Sequence, residues 1–297
     1  MSLKSVFLLS FTFVFSWIGA QRHELGARLG MSHLVGDVGR TNYVLQKPFG
    51  TQFSKYGFPF YGGLTYRYNF NPYQSIRFDL GTSYVQFDDQ YAQEDYRRNR
   101  RLFGNKSGEE AKVLFEYNFF PINEEQKGML SPYVFGGFGG LRYYVPQITF
   151  VNDFQRDANG VILPPDAQGV YAFTTTAEET LTKRFVMAVP FGAGLKYKMA
   201  YNWVVSLEMM FQPTFSDNLD YSTVEHKDVR FTYNRELTQP GSTKSLLQQE
   251  PYMETARNRA NAYLETRRVG NLKSMDWINN VTLGVSYSFG RPPCYCN

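Results

Sequence analysis

Eight stretches of the chain alternate apolar and polar residues with a period of two, and in each the apolar face carries no charge. A period of two is the side-chain period of an extended strand. The stretches cover 23–31, 58–70, 74–87, 110–120, 131–145, 185–198, 203–212 and 279–289. In the first, Leu25, Ala27, Leu29 and Met31 oppose Glu24, Gly26, Arg28 and Gly30. In the fifth, the pattern puts Tyr133, Phe135, Leu141 and Tyr143 on the apolar face and Gly136, Gly140 and Arg142 on the other. The last sets Val281, Leu283, Val285, Tyr287 and Phe289 against Thr282, Gly284, Ser286 and Ser288. A soluble sandwich buries its apolar face and puts its charges in water. Strands of about ten residues with a charge-free face fit the reverse arrangement, in which lipid covers the apolar face. The expected fold is all-β: an eight-stranded antiparallel transmembrane β-barrel with long extracellular loops.

Charges on the polar faces then point into the lumen. They are Glu24, Arg28, Arg67, Arg77, Asp79, Lys112, Glu116, Arg142, Lys196, Lys198 and Glu208. Eight strands enclose a space just wide enough for side chains to fill. Charges there are tolerated as paired, hydrogen-bonded networks. A salt-bridged plug is the structural reading, and an ion or solute path is its alternative. Hairpin register predicts Arg77 near Glu116 and Lys196 near Glu208. Aromatic residues at strand ends (Tyr68, Phe70, Tyr133, Tyr143, Tyr197, Trp203, Tyr287, Phe289) are where interfacial girdles belong.

Composition agrees. With 26 Phe, 22 Tyr and 25 Gly, the chain is too rich in packing residues for disorder. The net charge of +4 has no basic block, so no nucleic-acid partner is indicated. Residues 1–20 read as a secretory signal peptide: Lys4, an apolar run from Val6 to Ile18, and Gly19-Ala20 before Gln21. Cleavage is expected between Ala20 and Gln21. Residues 21–290 form the expected barrel, and 291–297 a Cys-containing tail. Linkers alternate long and short. The short ones are 71–73, 121–130 and 199–202; the long ones are 32–57, 88–109, 146–184 and 213–278. Short turns face the periplasm in such barrels, which puts both termini there and the protein in the bacterial outer membrane. The last long loop holds a candidate helix over 251–267, with Met253, Ala256, Ala260 and Tyr263 on one face.

Several stretches resemble the PorG-like outer-membrane barrels of the type IX secretion system of Bacteroidetes. They are Gln21 to Gly26, Gly36-Asp37-Val38-Gly39, Tyr66 to Pro72, Phe115 to Pro121, Pro190 to Tyr197, Phe215 to Asp220, and the ending Phe289 to Asn297. The resemblance covers the strands and little of the loops 146–184 and 213–278. It implies a non-catalytic subunit of a protein secretion machine that also serves gliding motility. Such a subunit is a scaffold holding the machine's periplasmic ring against the outer membrane, with ring subunits and membrane lipid as partners. The alternative is a generic small barrel that stabilises the membrane or binds surface ligands through its loops.

No cofactor, small-molecule substrate, metal site or catalytic residue is expected. Ser32 and His33 adjoin in sequence but point to opposite faces of a strand. His23, His33 and His226 lack ligand spacing. Asp217 and Asp220 are too few carboxylates for calcium. Gly36 to Gly39 reads as a tight turn, with a contact site as the alternative. Cys294 and Cys296 stand beyond Pro292-Pro293 in an oxidising compartment. Either they bridge to each other or remain idle thiols, or at least one bonds to a periplasmic partner.

Overall fold

The computed structural model describes residues 22–40, 58–122, 129–200, 202–271 and 274–290. The signal segment, the Ala20/Gln21 junction and the tail with Cys294 and Cys296 lie outside the described residues.

The chain divides into two compact units. Unit one comprises 1–143, 185–216 and 275–297; unit two comprises 144–184 and 217–274. The strands are β1 (Arg22–Val35), β2 (Phe60–Asn69), β3 (Gln74–Asp88), β4 (Phe103–Asn118), β5 (Leu130–Phe154), β6 (Phe173–Ala188), β7 (Phe191–Lys198), β8 (Trp203–Pro213), β9 (Val229–Tyr233) and β10 (Trp277–Phe289). The α-helices among the described residues are α1 (Asp95–Arg100) and α2 (Tyr252–Arg267).

Unit one is a closed ring of eight antiparallel strands in the order β1-β2-β3-β4-β5-β7-β8-β10. Pairing of β1 with β10, from His23 opposite Phe289 to Val35 opposite Trp277, closes it. Closure removes the edges that lipid cannot hydrogen-bond. The ring is held by short turns at one end. At 71–73, the Asn71 side-chain oxygen accepts from Tyr73 N (2.9 Å) and Gln74 N (2.8 Å), fixing the hairpin locally. At 199–202, Met199 N donates to Trp203 O (3.0 Å).

The outer wall is apolar. Leu25, Leu29, Leu64, Leu80, Phe115, Phe138, Leu195, Leu207 and Leu283 are all exposed on it. Aromatic clusters bound this wall at both ends. At the turn end, His23 stacks on Phe289, with Tyr66 and Tyr68 beside it, and Trp203 meets Tyr287 edge-on. At the other end Phe60 stacks on Tyr84, and Phe191 lies between Phe211 and Trp277. Trp277 and Tyr287 are ten residues apart on β10. At about 3.4 Å per residue and a tilt of about 40°, that is roughly 26 Å, the height of the apolar band of a membrane barrel.

Strand five departs from its predicted facing. Tyr133, Phe135, Leu141 and Tyr143 are buried in the interior, while Val134, Phe138 and Arg142 face out. Arg142 is therefore not a lumen charge. It sits over half exposed and pairs with Glu109 of β4 at 3.5 Å. The reason is the glycine content of the neighbours. Inward-facing Gly194 and Gly192 of β7 oppose Tyr133 and Phe135. A Cβ at Gly194 would lie 2.7 Å from the Tyr133 ring, and one at Gly192 2.6 Å from that of Phe135. Bulky rings on β5 fill what glycine leaves open on β7, the small-against-large fit of a narrow barrel. The girdle role predicted for Tyr133 and Tyr143 falls with the same correction. The predicted strand 185–198 is also divided, between β6 and β7, at Val189-Pro190.

Unit two occupies stretches expected to be loop. The end of β5 lies between β6 and the parallel strand β9, with Ile148 opposite Val229 and Asn152 opposite Tyr233. Helix α2 begins after Pro251, close to the predicted bounds. Its buried residues are Tyr252, Ala256, Ala260 and Leu264, while Met253 and Tyr263 are half-buried, a slight rotation of the predicted face. Ala260 and Leu264 pack on Ile148 and Phe150, and Tyr252 and Ala256 on Phe154, Phe173 and Leu247.

Leu207→Arg and Leu283→Arg each put a charge on the outer wall near mid-height. Each is expected to lower folding stability by about 2–4 kcal/mol, measured by urea unfolding from lipid vesicles. Thr82→Arg, near the end of the wall, is expected to cost far less.

Candidate functional site

The interior of unit one is built from charge. Alternation sends every second side chain of each strand inward, and ten of these are ionisable residues held in ion pairs, eight in one network and Lys112 with Glu110 as a separate pair. Five are cations (Arg28, Arg67, Arg77, Lys112, Lys196) and five are anions (Glu24, Asp79, Glu110, Glu116, Glu208), all buried. Two carboxylates are its hubs. Glu208 on β8 accepts two hydrogen bonds from the Arg28 fork (2.5 and 2.7 Å) and two from Arg77 (2.7 and 3.2 Å). It accepts a fifth from the Tyr133 hydroxyl (2.6 Å). Glu116 on β4 accepts from Arg67 Nε (2.9 Å), Lys196 Nζ (2.6 Å), Ser75 Oγ (3.2 Å) and Arg77. Arg77 thus bridges both hubs, and its guanidinium lies over the Phe135 ring at 4.8 Å.

The periphery of the network is tied to these hubs. Glu24 pairs with Arg67 (3.1 Å) and is held by Asn69 and Ser286. Asp79 lies 3.0 Å from Arg77 Nε and accepts from Thr65. Apart from the hubs, Lys112 pairs with Glu110 (2.5 Å), and Tyr143 and Ser83 extend that pair. Charge-assisted, bidentate bonds of this kind are the strong ones, and in a space without bulk water they meet little competition.

Arg77 meets Glu116 as the register predicts. Lys196 does not meet Glu208. Gly194 stands opposite Glu208 in the ladder, and Lys196 instead reaches across to Glu116 and Asn118. Lys198 is buried as well. Tyr133, expected on the lipid face, joins the network at Glu208, and Glu110, absent from the expected charges, pairs with Lys112. Glu110 shares its parity on β4 with Lys112 and Glu116, and that signal was available.

The Gly36 to Gly39 segment folds as a bound turn. Asp37 and Val38 are buried. Arg97 on α1 donates to the carbonyls of Gly36 (3.0 Å) and Gly39 (3.1 Å), and Arg100 donates to that of Asp37 (2.7 Å). Gly39 N donates to the Asp89 carboxylate (2.8 Å), which also receives Arg100. Gly39 has φ = 95°, in the left-handed region that favours glycine.

The remaining sequence candidates are dispersed. His23 lies in the turn-end girdle, with its Nδ1 2.7 Å from the Tyr66 hydroxyl. Ser32 and His33 oppose Asn280 and Asn279 across the β1–β10 ladder. In unit two, His226 begins a single 3-10 turn, and Asp220 accepts from Ser222 N (2.8 Å) as a local turn. Among the described residues no group of three or more His, Cys, Asp or Glu is arranged to hold a metal ion.

Residues 3–165, more than half of the chain, match the family described as a domain of unknown function, DUF6089. No curated protein matches the sequence. Three solved barrels align over most of the chain. The N-terminal β-barrel domain of Pseudomonas aeruginosa OprF is 12% identical, with 91% of this chain and 99% of that one covered and a TM-score of 0.37. Ail of Yersinia pestis, in complex with the heparin analogue sucrose octasulfate, is 13% identical, with the same coverages and a TM-score of 0.38. Neisserial surface protein A is 9% identical, with 90% and 97% covered and a TM-score of 0.37.

Removing one member of a buried ion pair strands its partner, whereas removing both does not. Glu208→Gln is therefore expected to destabilise the barrel by about 3–5 kcal/mol. Arg28→Met with Glu208→Met is expected to cost less than Glu208→Gln alone, measured by urea unfolding of the refolded protein.

Proposed function

The chain belongs to the DUF6089 family, and from that premise we propose that it is a non-conducting, non-catalytic barrel of the bacterial outer membrane that serves as a docking scaffold. The observation that carries this reading is the filled lumen. Arg28, Arg77, Arg67 and Lys196 are locked onto Glu208 and Glu116 across the full width of the ring. A pore needs space and mobile charge there, and a protein substrate needs far more. A barrel whose interior is committed to holding itself shut offers partners its rims.

The type IX secretion machine is the assembly for which this chain's likeness to PorG-like barrels speaks. In this reading the short turns and the tail with Cys294 and Cys296 face the periplasm and hold the ring subunits of the machine. At least one of the two cysteines bonds covalently to a ring subunit. The test is in-cell crosslinking with capture of the full-length protein. Periplasmic ring subunits of the machine are the expected catch, and deletion of the protein is expected to block secretion. On a non-reducing gel a larger band is expected, which collapses on reduction and is lost in the Cys294→Ser/Cys296→Ser double variant. Planar bilayers containing the purified protein are expected to show no steady porin-sized conductance.

A second reading is supported by unit two. Its two stretches fold around their own apolar clusters, centred on Phe154 with Tyr252 and on Phe150 with Leu264, which is more structure than a passive loop needs. In that reading the protein binds ligands at the cell surface. Normal secretion with altered surface adhesion in the deletion strain would select it over the scaffold.

A further inference from the structure

On the long-loop side of the ion-paired layer, the interior changes character. Ser32 of β1, Asn280 of β10 and Gln212 of β8 are all turned inward and are 1%, 1% and 0% exposed. Ser32 and Asn280 are direct ladder partners. Asn280 stands opposite Met210, which places Gln212 diagonally two residues further along β8. Diagonal neighbours on one face of a sheet lie within reach of long side chains. Yet Ser32 Oγ, both amide atoms of Asn280 and both of Gln212 have no hydrogen-bond partner among the described residues.

These are five buried polar atoms on three side chains that neighbour one another in the ladder. A buried polar group left without a partner keeps its full desolvation penalty. We infer that Ser32, Gln212 and Asn280 line a binding site inside the barrel for a small neutral molecule that both donates and accepts hydrogen bonds. That chemistry comes from two sources, bound water and a small polyol.

The composition of the site sets this class. Two carboxamides and a hydroxyl present donors and acceptors in similar number and carry no charge. An anion would leave the amide oxygens unmet, and a cation would leave the N–H groups unmet. Reversing either amide changes nothing, because both of its atoms are free to turn toward the occupant. Two cations of the ion-paired layer are already engaged: Arg28 by Glu208, and Lys112 by Glu110 with Met210 Sδ at 3.4 Å. Beyond the three residues the same strands become apolar, with Leu34 opposite Ile278, both fully buried. The site is thus bounded along its strands by ion pairs on one side and by aliphatic side chains on the other. A water needs two to four polar partners to be held in an interior, and the three side chains supply them. This inference rests on the geometry of the lumen and is independent of any role in secretion.

The test uses the full-length protein refolded in detergent micelles. Rotating-frame NMR spectra, whose sign separates through-space transfer from chemical exchange, are recorded for the side-chain amides of Asn280 and Gln212. Transfer from long-lived water is expected. Repeating the measurement with glycerol as the probe separates the sources: transfer from glycerol protons assigns a polyol site, and transfer from water alone assigns bound water. Asn280→Leu, which removes both hydrogen-bonding atoms at little change in size, is expected to lower the urea midpoint. Ser32→Ala is the milder variant should Asn280→Leu fail to refold, and it too is expected to lower the midpoint. Absence of transfer from either source, together with an unchanged or raised midpoint in the variant that refolds, would overturn the inference.

Discussion

A narrow barrel with lipid outside has to neutralise its own interior, and the rest of this structure follows from that requirement. In a soluble protein, apolar side chains fill the core and water solvates the charges. Here the apolar side chains are spent on the outer wall, as Leu29, Leu207 and Leu283 show. The core of the ring carries Arg, Lys, Glu and Asp among its inward rings and aliphatic side chains. Ion pairs set these charges against one another, and Glu208 and Glu116 hold eight of them together by accepting from several strands at once. Arg28 of β1, Arg77 of β3 and Tyr133 of β5 all converge on Glu208 of β8. The backbone ladder joins neighbours; these hubs join strands that lie across the ring.

The inward placement of aromatic rings on β5 belongs to the same economy of space. Charged stems converge on the hubs, and flat rings fill the gaps between them. Lys196 lies over the Tyr133 ring at 4.3 Å and Lys112 over Tyr61 at 4.8 Å. Rings in these positions shield cations from one another while offering their electron-rich faces. Glycines at 192 and 194 make the space that Tyr133 and Phe135 require.

Much of the barrel was legible in the sequence because lipid enforces a strict rule. Where one face carries no charge, as on β1, β3, β8 and β10, parity alone separates Leu29 from Arg28 and Leu207 from Glu208. The rule failed on β5 for a physical reason. Glycines at 136, 137, 139 and 140 blank out the middle of the strand, so in the sequence alone bulk at Tyr133, Phe135, Leu141 and Tyr143 looks like lipid contact. Parity was then decided by glycines on β7, a strand more than fifty residues away in sequence. Partner choice was less legible still. Lys196 chose Glu116 over Glu208 because a lysine stem crosses the lumen, and no local pattern encodes that reach. Unit two escaped because Thr174 to Lys183 is polar on both faces, which leaves alternation nothing to report. Only the 3.6-residue period of α2 was visible there.

The seam between β1 and β10 carries one more consequence. It pairs His23 with Phe289 and Val35 with Trp277, joining the start of the described chain to its end across thirteen consecutive ladder positions. Contacts so distant along the sequence are entropically the most demanding to form. Until β10 is in place, β1 and β8 both present bare edges, and Arg28 and Glu208 have no enclosed space in which to meet. The ring therefore cannot be laid into a bilayer strand by strand as it is synthesised. Its earlier strands have to be kept from pairing with other chains until the last one arrives. Insertion is in that sense a single late event, governed by the final strand of the ring.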